Sequence, residues 1–259
     1  KNIYFPKAIK LIFNVSGIDK KIHLGKYKID INDSLIDIFK NIYFGKIILK
    51  KLIISEGSKI TDLFSNEIIK RFCQTANFQN ECELEGYAKP DVYLYDREIE
   101  LLSILKKSIE NQMADLNKSW NERNSKLVNF SKKEILIIAS ILEKESCANE
   151  REKISGVIYN RLKNNMLLQM DSTTIYGLKD FNGNLKKKDL RDSSLYNTYM
   201  HKGLPPGPIS NPSRNSIFAA AQPEEHDYLY FVAKDKCSHE FSTNYDDHLK
   251  AVKKYHLRQ

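Results

Sequence analysis

The segment EILIIASILEKES, residues 134–146, constrains the fold more than any other part of the chain. From Ile135 to Leu142 only Ser140 is polar, so this element has to be enclosed by the rest of the molecule. Ser131 followed by Glu134 makes a capping-box pattern, which marks the start of a helix. At about 100° per residue, Ile135, Ile137, Ile138, Ile141 and Leu142 fall on one broad arc. Glu145 continues that arc, whereas Glu143 and Lys144 point away from it. The wheel therefore makes Glu143 the solvated carboxylate and Glu145 the one facing apolar surroundings. A carboxylate so placed either finds a partner or keeps its proton with a raised pKa. Two readings stay open: Glu145 pairs with an arginine at the helix end, or it is a neutral acid at the lip of an apolar cleft. The second is what the general acid of glycosidic-bond cleavage requires.

A chain of 259 residues suffices for one large domain or two modest ones. With 41% hydrophobic and 29% charged residues it reads as globular rather than disordered. No run of about 18 apolar residues is present. The chain starts at Lys1 without a methionine, so any signal or anchor would lie upstream of it. A net charge of +8 raises the question of nucleic acid. The lysines are scattered, though, with no basic stripe, helix-turn-helix, RNA-recognition or zinc-finger pattern, and no nucleic-acid partner is expected. An anionic polymer such as a cell wall suits the charge equally well. Cys73, Cys82, Cys147 and Cys237 have neither CxxC nor zinc spacing. Cys73 and Cys82 are near enough to pair in an oxidising compartment; four free thiols are the alternative. His226, His239 and His248 lack HxxxH or HxH spacing, so no metal site is expected. There is no nucleotide loop and no Ser-His-Asp motif, and no cofactor is expected.

The pattern changes along the chain. Up to about residue 90, strand-like runs (KYKIDI, ILKKLIIS) alternate with helical ones (SLIDIFKNIY, ITDLFSNEIIKRF), a small β-α-β module. KPDVYLYDR is extended, and residues 97–126 read as a long connecting helix. From residue 131 helices dominate. Asn149 with Glu152 is a second helix start, and Asn211-Pro212 reads as an N-cap followed by proline at the first helical position. YLYFVA and HEFS read as strands, and DDHLKAVKKYH as a terminal helix.

In order, ASILEKES, the NRL helix, LLQMDSTTIYGL, YNTYMHKGLPPGPISNP and YLYFVA with a later HEF closely resemble the endolytic murein transglycosylases of the YceG-like family, over roughly residues 131–255. Upstream, LIISEGSKITDLF and LEGYAKPDVYLY resemble that family's LysM-like module more loosely. The resemblance implies an α+β fold, with a LysM-like module (residues 1–95), a connecting helix (96–126) and a mainly helical, lysozyme-like catalytic domain (127–259). It implies a peptidoglycan lyase that needs no cofactor, and a structural role for His239 and His248. It also implies a bacterial inner-membrane protein, anchored through a segment outside this chain, that faces the periplasm and works beside glycan-polymerising synthases, the penicillin-binding proteins.

The resemblance assigns the acid-base role to Glu145. It protonates the oxygen between N-acetylmuramic acid and N-acetylglucosamine, and then serves as base while the muramic C6 hydroxyl closes a 1,6-anhydro ring. Asp171 is expected to order the cleft by bonding Gln169 and Thr173; in a muramidase-type hydrolase it would be the second carboxylate instead. Tyr176, Tyr196, Asn197 and Tyr199 are read as sugar-lining, and Asn160 as a further candidate. A wall-binding module without catalysis is the remaining alternative.

Overall fold

The computed structural model describes residues 25–75, 82–127 and 129–256; residues 1–24 of the expected module lie outside them. The architecture is α+β and mostly helical, with two separate two-stranded sheets among the described residues. The chain divides into a smaller unit, Lys1–Leu52 with Val92–Leu101, and a larger one, Ile53–Asp91 with Leu102–Gln259.

In the smaller unit, α1 (Leu35–Tyr43) begins at Ser34, whose side chain and that of Asp37 satisfy each other's backbone N–H groups in a capping box. KYKIDI does not become a regular strand. Only Tyr27 makes a bridge, antiparallel to Ile47. A local turn takes over from Asp30, whose N–H donates to the Asp33 carboxylate at 2.8 Å. The strands β1 (Lys50–Ile54) and β2 (Asp91–Tyr95) pair in one sheet.

In the larger unit, the expected helix over 60–72 is two helices, α2 (Ile60–Leu63) and α3 (Asn66–Thr75). The break falls at Phe64, which is extended (φ −125°, ψ 137°) and buried, while the Ser65 hydroxyl accepts from the N–H of Ile68 in the next helix. Cys73 and Cys82 form a disulfide. The sequence placed 53–91 with the N-terminal module, but this segment groups with the larger unit. Its tie is Asn211, which exchanges backbone bonds with Gly57 and Ser58 (2.9 and 2.8 Å) and whose side chain accepts from Ala88 N–H. Asn211 is thus a tether rather than an N-cap. The helix that follows is capped by Ser213.

The expected connector is α4 (Leu101–Asn121), and it packs on the larger unit's core through Leu116. The core is built on α5 (Lys132–Glu145), which starts with the capping box expected at Ser131 and Glu134. Every residue from Ile135 to Leu142 is buried, so α5 is enclosed on all sides. It packs against α6 (Arg151–Lys163), α7 (Asp171–Gly177) and above all α8 (Arg214–Ala221). The buried Ala219, Ala220 and Ala221 let α8 approach closely. Asn149 does not cap α6; a 3₁₀ turn, Ala148–Glu150, runs directly into it. Antiparallel β3 (Tyr230–Ala233) and β4 (His239–Ser242) pack with α9 (Tyr245–His256). A second disulfide, Cys147–Cys237, fastens the segment after α5 to the turn between these strands. No helix among the described residues is long and apolar enough to cross a membrane.

Candidate active site

Two glutamates end α5, and the structure revises the role of the first. Glu143 is not solvated. Its side chain is 5% exposed and meets Arg151 at 3.1 Å, while its other oxygen accepts from the N–H and hydroxyl of Ser213 at 2.7 and 2.6 Å. The wheel treated the polar side of the helix as facing water. Because α5 is enclosed all round, Glu143 meets α6 and the N-cap of α8 instead. The arginine partner considered for Glu145 belongs to Glu143.

Glu145 has no ion pair among the described residues. It opens onto a cleft of about 530 Å³, also lined by Arg161, Asp171, Tyr199, Tyr230 and His239. Its Oε1 accepts the backbone N–H of Ser172 at 3.2 Å, at the start of α7. Burial pushes its pKa up, and the Asp171 charge adds to this; the bond from Ser172 and the proximity of His239 oppose it. The net direction is upward, towards the protonated form.

Of the expected site residues, Tyr199, read as sugar-lining, and Gln169 and Asp171, read as ordering the cleft, share it. Asp171 is exposed and accepts from the Tyr199 hydroxyl at 2.6 Å. Burial, then that bond, pushes the Tyr199 pKa up. Gln169 adopts φ 53°, and its Oε1 accepts from Arg161 at 3.3 Å. The partners expected for Asp171 are therefore corrected: it bonds Tyr199, Gln169 bonds Arg161, and Thr173 bonds the Met170 carbonyl and Thr198.

Thr173 and Asn197 are fully buried and cannot face a ligand. Asn197 uses its whole amide internally, accepting from the Thr174 hydroxyl and the Tyr199 N–H and donating to the Leu190 and Asp192 carbonyls. Asn160 lies in another groove, where its amide donates to the carbonyls of His226 and Tyr228. Tyr176 and Tyr196 pack together, centroids 4.7 Å apart, around a separate pocket of about 240 Å³ beside Glu85. Glu85 is a second carboxyl pushed up by burial, and it accepts from Ile60 and Gly86 N–H and the Tyr176 hydroxyl.

The sequence reading missed an aromatic part of the lining. Tyr230, Phe231, Tyr245 and His248 line the cleft, and Tyr230 stacks on His248 at 5.2 Å. Arg161 is buried, donates to the carbonyls of Leu167, Leu168 and Leu229, and lies 5.0 Å from the Tyr230 ring. An arginine at a buried position of α6 was the available signal. Among the described residues, no group of His, Cys, Asp and Glu is arranged to hold a metal.

An enclosed helix ending in a desolvated glutamate, beside an aromatic-walled cleft, is a site suited to acid catalysis on a sugar polymer. The profile of the YceG-like family matches residues 1–254, and the chain belongs to that family. A Bacillus subtilis protein called endolytic murein transglycosylase is 36% identical over 203 residues, 75% of this chain and 55% of its own length. A Streptococcus pneumoniae protein of the same name is 33% identical over 156 residues, 58% of this chain and 28% of its own. The chain thus spans about half the length of the first relative and less of the second. A crystal structure of a YceG-like protein from Listeria monocytogenes matches with a TM-score of 0.69 and 28% identity, covering 95% of this chain and 90% of that one.

Proposed function

We propose that this chain carries the catalytic part of an endolytic peptidoglycan lytic transglycosylase. The observation that carries the reading is the placing of Glu145, a carboxyl without an ion pair among the described residues, on the wall of an open cleft where burial raises its pKa. It donates its proton to the leaving N-acetylglucosamine oxygen as the bond to the muramic C1 breaks. The resulting carboxylate takes the proton of the muramic C6 hydroxyl as O6 joins C1, leaving a 1,6-anhydro end. One carboxyl serves both halves, and no water is consumed. Tyr230, Phe231 and Tyr245 offer apolar faces to sugar rings, with Gln169, Asp171 and Tyr199 as polar contacts in the same cleft.

The larger unit is read as lysozyme-like and the smaller as a LysM-like module that holds the strand. The two disulfides suit an oxidising compartment, in keeping with action outside the cytoplasmic membrane from an anchor outside this chain. Glycan-polymerising synthases are the expected neighbours, since they supply nascent strands.

Asp171 also lines the cleft, which keeps a hydrolase reading in play. Digestion of uncrosslinked glycan strands followed by mass spectrometry separates the two. We expect internal fragments ending in anhydromuramic acid, one water lighter than hydrolase products. Mainly reducing muramic ends would reject the lyase reading and make Asp171 a participant. No fragments at all would leave a wall-binding module.

A further inference from the structure

His239 sits at the start of β4, on the wall of the cleft that contains Glu145. Its ring is held from behind. Glu150 accepts from Nδ1 at 2.7 Å and from the His239 backbone N–H at 3.3 Å, with both side chains mostly buried. A carboxylate only accepts, so Nδ1 carries the hydrogen. Among the described residues Nε2 has no protein partner, and it is not sealed from solvent. Phe231 meets the ring edge-on at 5.3 Å and Phe241 lies at 6.3 Å, which limits its rotation.

The covalent frame reinforces this arrangement. Cys147 lies between Glu145 and Glu150 in the chain, and its disulfide partner Cys237 precedes His239 by two residues. The same crosslink thus ties the acid, the ring and the carboxylate behind the ring into one assembly.

We propose that His239 is a second substrate-contacting residue of this cleft, offering Nε2 to a hydroxyl of the sugar beside Glu145, with Glu150 as the residue that positions it. This rests on the transglycosylase reading. Nε2 accepts the hydroxyl hydrogen while Nδ1 stays committed to Glu150. The contact orients the sugar, and the proton transfers remain with Glu145.

Two amide substitutions separate contact from scaffolding, because each replaces a different ring nitrogen. In His239→Asn the amide takes the place of Nδ1, keeps Glu150 paired and offers the cleft nothing. In His239→Gln the amide reaches towards the Nε2 position and offers its oxygen there. Strand cleavage by the full chain, followed by anhydro ends and paired with thermal melting, is the measurement. We expect His239→Asn to melt near the unaltered protein yet lose about tenfold or more in kcat/KM. His239→Gln should retain more activity than His239→Asn, whichever melts higher. Glu150→Gln should lower kcat/KM in the native background and add little to His239→Asn, as expected of a residue acting through the ring. Asn at least as active as Gln, or full additivity with Glu150→Gln, overturns the proposal. Absence of cleavage by the unaltered chain sinks the transglycosylase reading, and this one with it.

Discussion

One lysine separates Glu143 from Glu145, and the two carboxylates live in opposite surroundings. Glu143 is fully committed: Arg151 holds one oxygen, and the N-cap of α8 holds the other. Glu145 accepts one backbone N–H and otherwise faces the cleft. Burial is common to both. What differs is whether the protein supplies enough donors to stabilise the charge. A buried acid with saturated oxygens is part of the scaffold, and one left short of donors is available for chemistry.

The sharpest way to break this contrast is to exchange the outcomes of substitution. Glu145→Gln removes the transferable proton, so strand cleavage should fall by about 10²–10⁴-fold while the protein stays folded. Glu143→Ala leaves Arg151 buried without its partner and should cost about 3–5 kcal/mol of stability, read by denaturant unfolding. Its loss of activity should track the unfolded fraction. A stable but inactive Glu143→Ala, together with an active Glu145→Gln, would reverse the assignment of acid and scaffold.

Next in size is the crosslink beside the cleft. Cys147 and Cys237 close a loop with a sequence separation of 90, and replacing both with serine should cost about 2–4 kcal/mol. The Cys73–Cys82 pair closes a separation of only 9, so the same treatment there should cost less. Melting each double variant with and without reductant checks the order. Activity at a temperature where both are folded should suffer more from the first, since it braces the elements that carry Glu145 and His239.

The uneven legibility of the sequence follows from the same physics. Ser131 with Glu134 and the unbroken apolar run of α5 are local signals, and both are realised. The strands β3 and β4 and the final helix were equally visible in their patterns. Long-range satisfaction was not. Asn197 and Thr173 stand in polar motifs that suggest a ligand, yet their partners are backbone carbonyls and other buried side chains. Asn211 had the local appearance of a cap, but its partners are Ser58 and Ala88, more than 100 residues away in sequence. The aromatic wall was hidden for a similar reason. Tyr230 and Tyr245 come from β3 and α9, and only their packing brings them to the cleft that Glu145 lines.

The smallest expected effect ties the acid's function to its cost in stability. Burial raises the Glu145 pKa above the value it has in the unfolded chain. The folded state therefore holds this proton to higher pH than the unfolded state does, and stability falls as pH rises between the two values. Below the unfolded value there is no penalty; above the folded value it is complete. Glutamine cannot ionise, so Glu145→Gln should melt with the native protein in acid and above it near neutrality. Each kcal/mol of that gap is worth roughly 2–4 °C in a domain of 150–250 residues. Cleavage by the native protein needs the same proton and should decline over the upper part of the same window. The two curves test each other. A native enzyme that keeps cutting well above the pH at which the melting gap levels off takes its proton from a group other than Glu145.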